Sequence, residues 1–108
     1  MLDCYYCKDS ADTPESPNEE NYVGSFELNY FKLLQEIVDY AKKLNVNMHF
    51  FEDFRIHDQD IIKLHEFSVA KQKDIDSSEM MKKDAYKRMS AVLKAAKDKK
   101  VGLVFFCD

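Results

Sequence analysis

The chain ends in a run of apolar residues, VGLVFFC (residues 101–107), that follows a long helical pattern after a short basic turn. A strand that is apolar at every position is typical of a sheet covered by helices on both faces. The 108 residues include only two glycines and two prolines, which excludes collagen-like chains and flexible linkers. The run therefore predicts a buried strand in a single α/β domain spanning residues 1–108.

Apolar residues recur at helical spacing in three segments: residues 25–44, 58–72 and 76–98. Ser25 and Asp58 stand at the start of the first two segments and are the expected N-caps. Asp76 and Glu79 have the spacing of a capping box at the start of the third. The sequence therefore predicts three helices.

Two further segments have strand character. Residues 46–51 (VNMHFF) alternate apolar and polar side chains, and residues 1–7 are rich in aromatic and other β-prone residues. Residues 8–21 hold both prolines and no apolar residue larger than alanine, which predicts a mobile loop. Because helices separate the later strands, this order predicts a small three-stranded, mainly parallel sheet packed against three helices.

Three stretches resemble the barstar family of intracellular inhibitors of a secreted bacterial ribonuclease: YVGSFELNYFKLL (22–34), VDYAKKLNVNMHFFEDF (38–54) and MSAVLKAAKDKKVGLVFFCD (89–108). They are similar to the inhibitory loop and helix, to the passage from that helix into the second strand, and to the last helix with its terminal strand. The resemblance implies a barstar-like α/β fold and an inhibitor rather than an enzyme. Only Glu27 stands in for one of the family's toxin-binding acids, and this departure from the family pattern predicts a different toxin.

Charge is unevenly distributed along the chain. Residues 1–66 carry 14 acids and 6 bases, whereas residues 67–108 carry 6 acids and 10 bases, for a net charge of −4. An acidic surface steers basic partners toward it. We therefore expect a cytoplasmic immunity protein or antitoxin, of bacterial origin, that occludes the active site of a basic nuclease toxin. The residues expected to bind this toxin are Tyr22, Glu27, Glu36, Asp39, Glu52, Asp53, Asp58 and Asp60.

Two other hypotheses remain open at the level of sequence. Cys4 and Cys7 have C-x-x-C spacing, and Cys107 with His49 completes a Cys3His zinc set if the first strand lies beside the last. The same cysteines suit a small redox protein. The basic helix over residues 79–100 suits a nucleic-acid adaptor that contacts phosphates.

Several classes are not expected from the sequence. It contains no Ser/His/Asp signature, glycine-rich phosphate loop or H-E-x-x-H motif, so an enzyme is not expected. A signal peptide begins with basic and then apolar residues, but this sequence begins MLDCYYCKDS, with acid and cysteine at those positions. A signal peptide is therefore not expected. We expect no cofactor, no membrane contact and no direct contact with nucleic acid.

Overall fold

A four-stranded antiparallel sheet forms the centre of the computed structural model, which describes residues 1–107. Its strands are β1 (Leu2–Cys7), β2 (Tyr22–Phe26), β3 (Phe54–Ile56) and β4 (Gly102–Cys107). Their order across the sheet is β2-β1-β4-β3, and each neighbouring pair is antiparallel. The segments near the two ends of the chain therefore form the two central strands.

The predicted three-stranded, mainly parallel sheet is wrong, and the reason is the hairpin of helices between β3 and β4. Helix α3 (Asp58–Asp74) and helix α4 (Met80–Lys99) follow one another, and the side chains of Ser68 and Ser90 join them at 2.8 Å. A single crossover helix returns the chain so that the next strand runs parallel. Two helices reverse the chain once more, so β4 runs antiparallel to β3.

The predicted first helix begins later than expected. Residues 22–26 form strand β2, and α1 (Leu28–Phe31) continues through a 3-10 turn (Lys32–Leu34) into α2 (Gln35–Lys43). Ser25 is therefore not an N-cap. Its hydroxyl group donates to the Asp3 carboxylate at 2.6 Å, on the neighbouring strand β1.

The predicted strand over residues 46–51 is also wrong. Asn45 adopts a left-handed conformation (φ 62°) after α2, and the Val46 N–H donates to the Ala41 carbonyl at 2.9 Å. This is the pattern of a Schellman motif, which ends a helix and turns the chain away from its axis. Val46 and Met48 are buried, so their alternation reflects core contacts made by irregular backbone. The strand itself forms later, as β3.

The other sequence expectations are close to the structure. Helix α3 starts at Asp58 as expected, although Asp58 is its first residue rather than its cap. Helix α4 starts at Met80, and the Asp76 carboxylate instead accepts a hydrogen bond from the Ser78 N–H at 3.0 Å. The predicted strands at both ends of the chain are confirmed as β1 and β4. Within residues 1–107, no helix is both long and apolar enough to cross a lipid bilayer.

The two faces of the sheet are covered differently. One face of the central strands presents the buried side chains of Leu2, Cys4, Leu103 and Phe105 to the helices. The opposite face, here called the outer face, carries a separate buried cluster: Tyr5, Cys7, Val104 and Phe106. Residues 8–21, here called the strap, border this cluster in place of a second helical layer. The strap includes a 3-10 turn (Glu19–Asn21), and its mobility stays a prediction.

Candidate functional site

The strap is attached to the β3 side of the sheet by two charged residues. Arg55 of β3 donates through Nη2 to the Lys8 carbonyl at 2.7 Å and through Nη1 to the Thr13 hydroxyl at 3.2 Å. In the other direction, the Asp9 carboxylate accepts a hydrogen bond from the backbone N–H of Asp58 at 2.9 Å. A carboxylate at the N-terminus of a helix satisfies an N–H that lacks a partner within the helix.

Gly102 allows the strap to approach this closely. A Cβ atom on Gly102 would lie 2.4 Å from the Ile56 carbonyl oxygen and 3.0 Å from the Asp9 carboxylate. Both distances are too short for a carbon atom in van der Waals contact. The first residue of β4 must therefore lack a Cβ atom for β3 and the strap to pack together.

A tyrosine fixed by hydrogen bonds stands at the other edge of the outer face. Tyr22 of β2 is 47% exposed, and its hydroxyl lies 2.5 Å from the Ser25 hydroxyl. Because Ser25 donates its proton to Asp3, Tyr22 is the donor to Ser25. The Tyr22 ring also contacts the ring of Tyr5 edge-on, with 5.6 Å between the centroids. An exposed ring held in one orientation is a suitable anchor for a protein partner.

Acidic side chains dominate the segment of the chain that leads to Tyr22. The segment from residue 1 to residue 21 contains one basic side chain, Lys8, and six acidic ones: Asp3, Asp9, Asp12, Glu15, Glu19 and Glu20. Glu19 and Glu20 are exposed in the 3-10 turn directly before β2. We call the strap together with Asp3, Tyr22 and Ser25 the acidic face. Sequence patterns proposed only Tyr22 of this group as a binding residue, because Asp3 and Ser25 join it through the pairing of β1 with β2.

Glu36, predicted to bind a partner, makes several contacts within the fold. Its carboxylate accepts hydrogen bonds from Lys82 at 2.6 Å and from the Tyr86 hydroxyl at 2.8 Å, and Lys71 lies 3.7 Å away. Partial burial raises the pKa of Glu36, but the bonds from Lys82, its own backbone and Tyr86 outweigh this and lower the pKa to about 2. Burial and the same carboxylate raise the pKa of Tyr86. Glu36 therefore holds α2 against the α3–α4 hairpin.

Three other predicted contact residues lie at the two edges of the sheet. Glu27 follows edge strand β2, whereas Glu52 and Asp53 precede β3 at the opposite edge of the sheet. Three strand spacings separate these edges, which is about 14 Å. Asp53 is also engaged, because it accepts a hydrogen bond from the Cys107 N–H at 2.8 Å.

The last three predicted acids lie on helices. Asp39 is exposed on α2 and accepts a hydrogen bond from Gln35 at 2.8 Å. Asp58 and Asp60 occupy the first turn of α3, at the end of β3 that lies opposite Asp53. Carboxylates in a first helical turn are stabilised by the helix dipole. The structure thus distributes the eight residues over several surfaces.

The structure does not assemble the zinc or redox set. Strand β1 does lie beside β4, as the zinc set requires. However, Cys4 faces the helices, whereas Cys7 belongs to the cluster on the outer face. Residues three apart in a strand point to opposite faces. Burial raises the pKa of the Cys4 thiol well above its usual value. Among residues 1–107, no three histidine, cysteine or acidic side chains are placed to hold a metal ion.

The basic helix α4 has part of its charge paired within the fold. Its ion pairs are Lys82–Glu36 at 2.6 Å, Lys94–Asp98 at 2.7 Å and Arg88–Asp84 at 3.7 Å. Arg88 also lies over the ring of Tyr30, 4.4 Å from its centroid. These contacts reduce the charge available for the phosphates of a nucleic acid.

Comparison with protein-family models, with curated proteins and with solved structures finds no match for this chain.

Proposed function

We propose that this protein is an immunity protein or antitoxin that binds a basic nuclease toxin in the cytoplasm and blocks its active site. The observation that supports this most directly is the Tyr22–Ser25–Asp3 chain of hydrogen bonds, which holds an exposed aromatic ring inside the acidic face. Protein interfaces commonly combine a rigid aromatic anchor with charges at the rim.

In this mechanism, the strap carboxylates take the places of nucleic-acid phosphates. Glu19 and Glu20, beside Tyr22 in the chain, would meet the lysine and arginine side chains with which a nuclease binds its substrate. The resulting attraction speeds association and weakens as salt increases, since charges are screened over about 8 Å at physiological ionic strength. Tyr22 supplies buried contact area, which governs dissociation more than association.

The experiment begins with co-purification of the tagged protein from its native host and with mixing against the products of neighbouring genes. Any bound protein is identified, its affinity is measured by calorimetry, and its nuclease activity is measured free and bound. We expect Tyr22→Ala to weaken binding by more than tenfold, as for an anchor residue (about 2 kcal/mol or more). Tyr22→Phe keeps the ring and is expected to lose less.

A matched pair of acid substitutions tests the location of the interface. Asp3→Asn removes an acid that orients Tyr22, whereas Asp39→Asn removes an exposed acid on α2. We expect the first to weaken binding and the second to leave it unchanged. A nuclease that remains active in the complex contradicts the proposal. A bound partner that is not basic also contradicts the proposal. The same is true if Asp39→Asn weakens binding of the partner and Tyr22→Ala does not.

A further inference from the structure

A cavity of about 480 Å³ lies between the outer face and the strap. Tyr5, Val104 and Phe106 line it from the sheet, and Ala11 and Pro14 line it from the strap. Its volume lies within the usual range for sites that bind small molecules (about 300–1,000 Å³), and such sites are mainly apolar. The cavity depends on the strap, which Arg55 and Asp9 hold in place.

The lining of this cavity carries more basic than acidic side chains. The lining includes two lysines, Lys8 and Lys99, and one acidic residue, Asp12. Asn18 and Asn21 add amide groups. The neighbouring segment 1–21 has six acids and one base, whereas Lys97, Lys99 and Lys100 make the end of α4 basic, so the cavity lies between an acidic segment and a basic helix end.

Lys99 is the better placed of the two lysines to bind an anion. Its ammonium lies 4.5 Å from the centroid of the Tyr6 ring. Across residues 1–107, the ion pairs within 4.0 Å include other lysines of α4 but not Lys99. Lys99 is exposed, so its ammonium is accessible to a negative group, and the ring contact keeps it beside the cavity that it lines.

We propose that this cavity binds a small anionic amphiphile, with an aromatic or aliphatic body and one carboxylate or sulfonate group. The body of the ligand lies against Tyr5, Val104 and Phe106, and its negative group pairs with Lys99. This site adjoins the proposed toxin contact, because Tyr5 lines the cavity and its ring contacts that of Tyr22, but the ligand is argued from the cavity alone and does not depend on a toxin.

Two fluorescent probes of nearly the same shape test the proposal. Anilinonaphthalene sulfonate carries the negative group, and phenylnaphthylamine is its neutral counterpart. We expect the protein to bind one molecule of either probe saturably. Lys99→Gln should weaken binding of the sulfonate about tenfold, as expected for the loss of one charge-assisted contact. The affinity for the neutral probe should not change.

The controls separate this site from nonspecific binding. Lys97→Gln removes an exposed lysine of the same helix that does not line the cavity, and we expect both probes to bind it normally. Ala11→Trp fills the cavity from the exposed strap and should abolish binding of both probes, with its unfolding midpoint checked by circular dichroism. The proposal is overturned by absence of binding, by equal effects of the Lys99 and Lys97 variants, or by unchanged binding to a folded Ala11→Trp variant.

Discussion

The Asp9 carboxylate caps helix α3 from the strap, with its two oxygens 2.9 and 3.1 Å from the backbone nitrogen of Asp58. His57 precedes α3 at the N-cap position, and its Nδ1 atom lies 3.5 Å from the same carboxylate. The residue that stabilises the start of this helix is thus distant in sequence. The contact couples the position of the strap to the stability of α3.

We expect Asp9→Ala to cost about 1 kcal/mol in the free energy of unfolding, as is typical for loss of an N-cap contact. The strap should also be cleaved faster by a protease, because one of its attachments is lost. Urea unfolding and limited proteolysis measure these effects. Glu15→Ala, a change to another exposed acid of the strap, is the control, and equal behaviour of the two variants would argue against the coupling.

Gly102→Ala is expected to destabilise the protein by about 1–3 kcal/mol, because the new methyl group would press on the Ile56 carbonyl and the Asp9 carboxylate. The comparison is Gly24→Ala, whose methyl group would meet a Val92 side-chain carbon at 3.2 Å. A side chain yields more readily than a paired backbone, so this variant should lose less. Urea unfolding of both variants checks the order, and the reverse order would refute the explanation.

Glu36 should make stability depend on pH in the acid range. Its pKa falls from 4.5 to about 2 on folding, so its contribution is complete above pH 4.5 and is lost as the pH falls toward 2. We expect Glu36→Gln to cost about 1–2 kcal/mol at neutral pH, allowing for the partial exposure of the Lys82 contact. The variant should also lose less stability than the wild type on acidification. Urea unfolding at neutral pH and at pH 3 tests this, with Asp39→Asn as a control that should behave as wild type.

The three thiols should react at different rates with a disulfide reagent. Cys4 is fully buried and its pKa is raised by burial, so little thiolate forms and the reagent cannot reach it. Cys107 is partly exposed at the end of β4. We expect Cys107→Ser to remove the fastest phase of labelling and Cys4→Ser to leave it intact. Loss of the fastest phase in the Cys4 variant would contradict the assignment of the faces of β1.

Local patterns predicted the parts of the fold that depend on neighbouring residues. The periodicity that predicts helices over 58–72 and 76–98 reflects the burial of one helical stripe, and α3 and α4 form there. The apolar run at 101–107 likewise forms β4, because a central strand buries the side chains on both of its faces. The alternation at 46–51 led to the wrong prediction of a strand, since buried loop residues such as Val46 and Met48 produce the same pattern.

The candidate site depends on contacts between distant segments, which no local pattern contains. Cys4 and Cys7 are close in sequence but lie on opposite faces of β1, while Asp3 and Ser25 meet only because β1 pairs with β2. The amino-acid sequence alone determined which segments become the long helices and the terminal strand, because those depend on side chains a few residues apart. Strand direction and the grouping of charges were decided only by the tertiary structure, because both depend on how the α3–α4 hairpin turns the chain and on which strand β1 joins.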